Sequence, residues 1–232
     1  MLDETKTKLK LVDFGTAKDV LDPSIKPSGN SSHQGRKNFQ HYVGTPHYMP
    51  PECIRNKDSN FKSDVWALGC ILYQLISGFP PFLGGSDYLI FCKSLKDDPS
   101  FPECFEWGLA KDLILCMMKR DMEERITLEN VRNHEYFKGI DWSTIGSYKD
   151  YEAQATPEEK FWTELRAKLR EFTEEREKEV NEKDVEKTIT EYSEKLEKSE
   201  EFNETSKEKL RARIKFAKRQ ARAYSNIEAF EW

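Results

Sequence analysis

Apolar and polar residues change rhythm several times along this chain, and each rhythm predicts an element. Lys8-Leu9-Lys10-Leu11-Val12 alternates at period two and stops at Asp13-Phe14-Gly15, which predicts a short strand entering a turn. Residues 19 to 41 have no period; Pro23, Pro27, Gly29, Gly35 and a Ser-rich middle predict a loop, long enough to be either functional or disordered. Residues 65 to 76 are apolar nearly all round, which predicts a buried helix that Asp64 could cap and Gly78-Phe79-Pro80-Pro81 ends. Shorter helical patterns follow over residues 86 to 96, 109 to 119 and 128 to 133. The first part of the chain therefore reads as a mainly helical domain with little strand.

Past residue 143 the rhythm changes again. Thr156-Pro157-Glu158-Glu159 is a capping box with proline in first helical position, and residues 205 to 208 offer a second box. Phe161, Leu165, Leu169 and Phe172 form one narrow apolar stripe, and Val185, Ile189, Tyr192 and Leu196 form another. Such stripes suit helical hairpins or a coiled coil, packed on the preceding domain, on each other or on a second copy.

Composition sharpens this division. From Ser143 onward there are one Gly, one Pro, 19 basic and 22 acidic residues, as expected of solvated helix. The expected organisation is a domain over residues 1–142, a linker over 143–155 and a charged helical tail over 156–232. A hydrophobic content of 37% in 232 residues supplies one core rather than two. A net charge of −5 gives no general attraction to nucleic acid, so no such partner is expected. Residues 207–222 are the local exception, with eight Lys or Arg against Glu208 alone. That basic amphipathic stretch could meet an anionic membrane, but pairing with the acidic residues upstream is the preferred reading. The longest apolar run is too short to span a bilayer and the N-terminus has no signal-peptide pattern, so the expectation is a cytoplasmic chain, at most peripheral at membranes. The five cysteines include no Cys-x-x-Cys pair, and the four histidines no i, i+4 pair, so no cage of protein ligands around a metal is expected.

Chemistry enters with a set of motifs in one order. Asp13-Phe14-Gly15 is followed by Gly44-Thr45-Pro46-His47-Tyr48, Pro50-Pro51-Glu52, Asp64-Val65-Trp66-Ala67-Leu68-Gly69, and Asp121 with Arg125. Together they resemble the second half of a eukaryotic protein kinase domain. Asp13-Phe14-Gly15-Thr16-Ala17-Lys18, the run from Trp66 to Leu75 and Tyr88-Leu89-Ile90-Phe91 resemble the 3-phosphoinositide-dependent branch of the AGC group. The resemblance covers residues 5 to 142 and implies the helical C-terminal lobe of that fold. It further implies ATP and Mg2+ as cofactors, with Asp13 holding magnesium that bridges nucleotide phosphates. Without that context Asp13 is an ordinary turn aspartate. Phe14, Gly15 and His41 fall in the activation segment, Phe14 packing inward and Gly15 permitting the reversal. Gly44, Thr45 and Pro46 match the substrate-docking loop of serine/threonine kinases, which implies protein substrates with Ser or Thr acceptors. Glu52 and Arg125, 73 positions apart, match a buried ion pair, and Asp64 matches a residue that accepts backbone hydrogen bonds from the catalytic loop.

Three departures limit the resemblance. These residues contain no Gly-rich phosphate loop, no strand lysine with a helix glutamate, and no His-Arg-Asp catalytic loop. Met1 falls near the position of the family's metal-binding Asn. The expectation is a C-lobe portion of a serine/threonine kinase that transfers phosphate negligibly by itself; the alternative is a catalytically dead binding or scaffold protein. Secondly, His41 stands where many AGC loops carry a phosphorylatable Ser or Thr, so that role is either unused or moved to Ser24, Ser28, Ser31 or Ser32. Thirdly, nothing in the tail alternates over enough strands to form the phosphoinositide-binding domain those kinases carry.

Overall fold

The computed structural model describes residues 9, 11–14, 17, 44–56, 59–143, 156–174 and 182–225. A 3-10 turn at Pro46–Tyr48 leads into helices α1 (Pro51–Asn56), α2 (Phe61–Ser77), α3 (Asp87–Lys96), α4 (Gly108–Met117) and α5 (Leu128–Arg132). A second 3-10 turn, Glu135–Phe137, precedes α6 (Pro157–Glu174), α7 (Glu182–Lys198) and α8 (Glu204–Ser225). The fold is thus mainly α. The predicted strand is reduced, among the described residues, to a single bridge at Leu9, and residues 11–14 are exposed with no strand. A lone extended segment satisfies neither its backbone edges nor its apolar side chains, so alternation alone does not make a strand.

The central helix, α2, begins earlier than predicted. Asn60, not Asp64, is the cap: its side chain accepts from the Lys62 N–H at 2.8 Å, while its own N–H donates to Ser63 Oγ at 3.1 Å. Asp64 lies exposed in the first turn. Gly78 ends the helix in the left-handed region, φ 84°, where a Cβ would run into the Arg166 side chain of α6. Val65, Trp66, Gly69, Cys70 and Tyr73 face inward, with α4 packed so close that a Cβ on Gly69 would lie 2.8 Å from Met118 Cγ. The opposite face is not buried as its composition suggested: Leu75 is 71% exposed, and Leu68 and Ile71 are also open. Uniform apolarity predicts burial only if neighbours exist on every side.

The tail is neither detached nor a two-stranded coil. Its helices form a three-helix bundle whose apolar stripes meet one another and then continue into the domain's core as one cluster. Phe216 of α8 lies edge-on to Phe79 and Phe105, with centroids 5.7 and 5.3 Å away, and Trp162 of α6 meets Phe105 at 5.8 Å. Arg213 donates from Nε to the Cys104 carbonyl at 3.0 Å, with its guanidinium over the Phe105 ring. The Thr156–Glu159 capping box forms reciprocally at 2.7 and 3.2 Å. The second predicted box does not; Asn203 caps α8 instead, accepting from the Ser206 N–H at 2.8 Å.

Basic residues of α8 pair with acidic neighbours. Arg211 reaches Glu197 and Glu204 at 2.6 and 2.7 Å, and Arg222 and Lys218 converge on Glu186. Lys209 reaches across to Glu106 of the domain at 2.9 Å. Among the described residues no helix is long and apolar enough to cross a membrane.

Candidate functional site

Residues 44–50, which lead into α1, are exposed at Gly44 and Thr45 and fixed at Tyr48 and Met49. Gly44 has φ 121°, a conformation open to glycine and strained for other residues, so the chain can reverse there. Thr45 follows in extended geometry and Pro46 starts the 3-10 turn with φ already restricted. Gly44 and Thr45 are exposed, whereas Pro46 and Met49 are buried. Two hydrogen bonds tie the base down: Tyr48 Oη donates to Gln74 Oε1 of α2 at 2.6 Å, and Ser94 Oγ of α3 donates to the Met49 carbonyl at 3.2 Å. Met49 also packs with Ile54 and Phe91. A base tied down in this way and carrying the exposed Thr45 hydroxyl can position an extended peptide.

Just behind this loop, Glu52 of α1 and Arg125 meet in the interior. Arg125 donates in fork geometry, Nη1 to Oε1 at 2.8 Å and Nη2 to Oε2 at 3.0 Å, with both side chains almost wholly buried. Ser63 Oγ adds a third donor to Glu52 at 2.9 Å. The guanidinium also donates to the Lys62 carbonyl at 2.8 Å and, from Nε, to the Lys119 carbonyl at 2.9 Å, and it lies 5.2 Å from the Trp66 ring. One side chain thereby joins α1, the start of α2 and the loop after α4. The pairing of residues 52 and 125 matches the arrangement expected from the sequence; Ser63 and the two carbonyls were not foreseen. The Asn60-x-x-Ser63 box was the available sign for Ser63, since a residue that caps α2 has its hydroxyl near the helix start.

Asp13 and Phe14 stand in the exposed stretch 11–14, and Asp13 has a left-handed φ of 64°. Aspartate tolerates that region better than most side chains. Phe14 is 69% exposed rather than packed inward. Asp13 offers a hard carboxylate oxygen of the kind magnesium takes, and such an ion uses one or two carboxylates with phosphate and water completing its shell. Gly15, His41, Ser24, Ser28, Ser31 and Ser32 lie outside the described residues.

A second grouping escaped sequence reasoning. Asp112 and Cys116 of α4 and His134, just before the second 3-10 turn, bring three donor atoms within 4.8 Å of one another. His134 Nε2 lies 3.0 Å from Asp112 Oδ2. Burial first, and then the Asp112 charge, push the Cys116 thiol up from its ordinary range. Counting cysteines and histidines separately concealed it; the sign was the mixed pair Asp112-x-x-x-Cys116 at one helical turn.

The comparisons with known proteins agree with the motif order. A family model for the protein kinase domain matches residues 1–137. The chain is 39% identical over 143 residues to 3-phosphoinositide-dependent protein kinase 1 of Rattus norvegicus, covering 59% of this chain and 24% of that protein. It is 38% identical over 143 residues to the putative 3-phosphoinositide-dependent protein kinase 2 of Homo sapiens, covering 59% and 33%. Serine/threonine-protein kinase ksg1 of Schizosaccharomyces pombe is 35% identical over 143 residues, covering 60% and 24%. The chain thus spans a quarter to a third of the length of these relatives.

Proposed function

The chain belongs to the protein kinase domain family, and on that footing we propose that it carries the activation segment and helical lobe of a kinase moving the ATP γ-phosphoryl group to Ser or Thr of proteins. The observation that carries this reading is the buried Glu52–Arg125 fork behind the Gly44–Thr45–Pro46 loop, whose Gly44 and Thr45 are exposed. A docking loop has to hold its shape while a peptide comes and goes, and a pair anchored to three segments gives it that base. The relatives' printed names support Ser or Thr as the acceptor.

In this reading residues 1–142 are the partial kinase domain, 143–155 a linker and 156–232 a helical annex that covers Phe79 and Phe105. Asp13 would hold magnesium, which would supply charge neutralisation for the ATP phosphates; Phe14, Gly15 and His41 belong to the activation segment, and Asp64 faces the catalytic loop. The exposure of Asp64 and of the Leu68, Ile71 and Leu75 face supports such a neighbour. These 232 residues contain no His-Arg-Asp motif to orient an acceptor hydroxyl, so this polypeptide by itself transfers phosphate negligibly. The test is incubation of the purified chain with labelled ATP, Mg2+ and a Ser/Thr peptide library. Label no greater than with an Asp13→Asn control is the expected result, and transfer well above that control overturns the reading.

One observation favours a second reading: His41 replaces the usual phosphosite while the docking loop is intact. A binding or scaffold protein would keep the loop and lose the chemistry. Such a protein would hold the same peptides without ATP dependence. The account further places the chain in the cytoplasm, without nucleic acid as a partner. The tail packs on its own domain, and the ion pairs of Arg211, Lys218 and Arg222 disfavour membrane contact through residues 207–222.

A further inference from the structure

We propose that Asp112, Cys116 and His134 form a zinc site at the surface of the lobe, remote in sequence from the docking loop and serving as a clip between α4 and the segment after α5. Asp112 and Cys116 are four apart on α4, so their side chains lie one above the other on one face. His134 is delivered to that face by the chain leaving α5. The frame beneath is firm: Leu113 and Met117 of α4 pack with Val131 of α5 in a separate buried cluster. The three donor atoms already lie within 4.8 Å of one another, and Nε2 is 3.0 Å from Oδ2. Tetrahedral zinc with bonds of about 2.0 to 2.3 Å needs donors roughly 3.3 to 3.8 Å apart. Asp112 and His134 are already close enough, so the adjustment left is in the approach of Cys116 Sγ and is at most of the order of an ångström.

The donor set selects the ion. Magnesium and calcium take oxygen alone, whereas one thiolate, one imidazole and one carboxylate suit zinc, with water in the fourth position on the exposed side. A thiolate and a carboxylate also neutralise the two positive charges. Binding releases the Cys116 thiol proton to solvent. The proton that His134 Nε2 shares with Asp112 gives way to the metal, and the neutral ring then carries its one proton on Nδ1. That nitrogen accepts from the Tyr136 N–H at 3.2 Å, a hydrogen bond that is given up when the ion enters.

Cobalt(II) is the direct probe, because a thiolate ligand gives it a near-ultraviolet charge-transfer band and a tetrahedral site gives it intense visible bands. The full 232-residue chain is titrated with cobalt(II), then with zinc(II) to displace it. The expected result is one equivalent bound with a thiolate band that zinc removes. Cys116→Ser abolishes the band, and Asp112→Asn and His134→Gln each weaken cobalt binding at least tenfold. His134→Gln also disturbs the turn that Tyr136 begins; should that variant misfold, the exposed Asp112→Asn decides with Cys116→Ser. No thiolate band in the wild-type chain, or a band that survives either Cys116→Ser or Asp112→Asn at unchanged affinity, overturns the proposal.

Discussion

Replacing Arg125 by methionine removes a cation from the interior and leaves three groups behind. Glu52, 5% exposed, keeps only the Ser63 hydroxyl as a donor, and the Lys62 and Lys119 carbonyls lose theirs. Breaking a buried ion pair from one side costs about 3 to 5 kcal/mol, a large share of the roughly 5 to 15 kcal/mol that holds a domain folded. Glu52→Leu should cost a similar amount by stranding the guanidinium. The double variant isolates the pair itself. It leaves no unpaired charge, only the two carbonyls and the Ser63 hydroxyl short of a partner, so its loss should fall short of the summed single losses by about 1 to 3 kcal/mol. Urea unfolding followed by far-ultraviolet circular dichroism and tryptophan fluorescence measures all three variants. With a slope near 2 kcal/mol per molar, a loss of about 4 kcal/mol moves the midpoint by about 2 M. Single losses under about 1 kcal/mol, or a double variant equal to the sum, would show that the fork does not fix this part of the lobe.

Three further outcomes follow from the same contacts. Phe216→Ala empties the seat between Phe79 and Phe105 and should destabilise the docking of α8 by about 3 to 5 kcal/mol, read as faster amide exchange across α6 and α8 than across α2. Asn60→Ala removes the cap of α2 and should cost about 0.5 to 2 kcal/mol in a thermal melt, whereas Asp64→Ala, exposed and not a cap, should cost less. Glu106, Glu158, Glu164, Glu186 and Glu197 are held below the ordinary carboxylate range, mainly by hydrogen bonds from Lys209, Ser206, Lys195, Arg222 and Arg211 respectively. Carboxyls depressed in the folded state contribute stability that is fully present above the unfolded value near 4.3 and is lost as pH falls through the folded values. The tail bundle should therefore loosen below about pH 4, seen as a fluorescence change of Trp162, and an acid-insensitive bundle down to pH 3 would contradict it.

Much of the lobe was legible because its signals are local or strongly patterned. Residues 86 to 96, 109 to 119 and 128 to 133 became α3, α4 and α5 within two residues at each end, since caps and stripes are written in neighbouring positions. The Glu52–Arg125 pair was legible by resemblance alone, as nothing local links positions 73 apart. Asp64 was mistaken for a cap because its side chain type suits one, while Asn60, with Ser63 three residues on, carried the reciprocal bond. The buried reading of α2 failed on Leu68, Ile71 and Leu75, where periodicity reports what a helix could bury and not what is present to cover it. The tail's docking was hidden for a similar reason: Phe79, Phe105 and Phe216 are far apart in sequence and meet only through tertiary packing. The Asp112, Cys116 and His134 grouping joins three residue types, so no single-type count could find it.

The central claim is that these residues serve phosphoryl transfer to Ser or Thr, with Asp13 at the metal and the Gly44–Thr45–Pro46 loop at the substrate. The most direct measurement is the activity of the native protein, isolated from its own cells through a tag introduced at the C-terminus, beside the same protein bearing Asp13→Asn. For a native protein that carries a His-Arg-Asp loop besides these 232 residues, the account predicts Mg2+- and ATP-dependent labelling of Ser or Thr that falls at least a hundredfold in the variant, with peptide binding to the loop retained. No labelling by such a protein, or labelling that Asp13→Asn leaves unchanged, would contradict it.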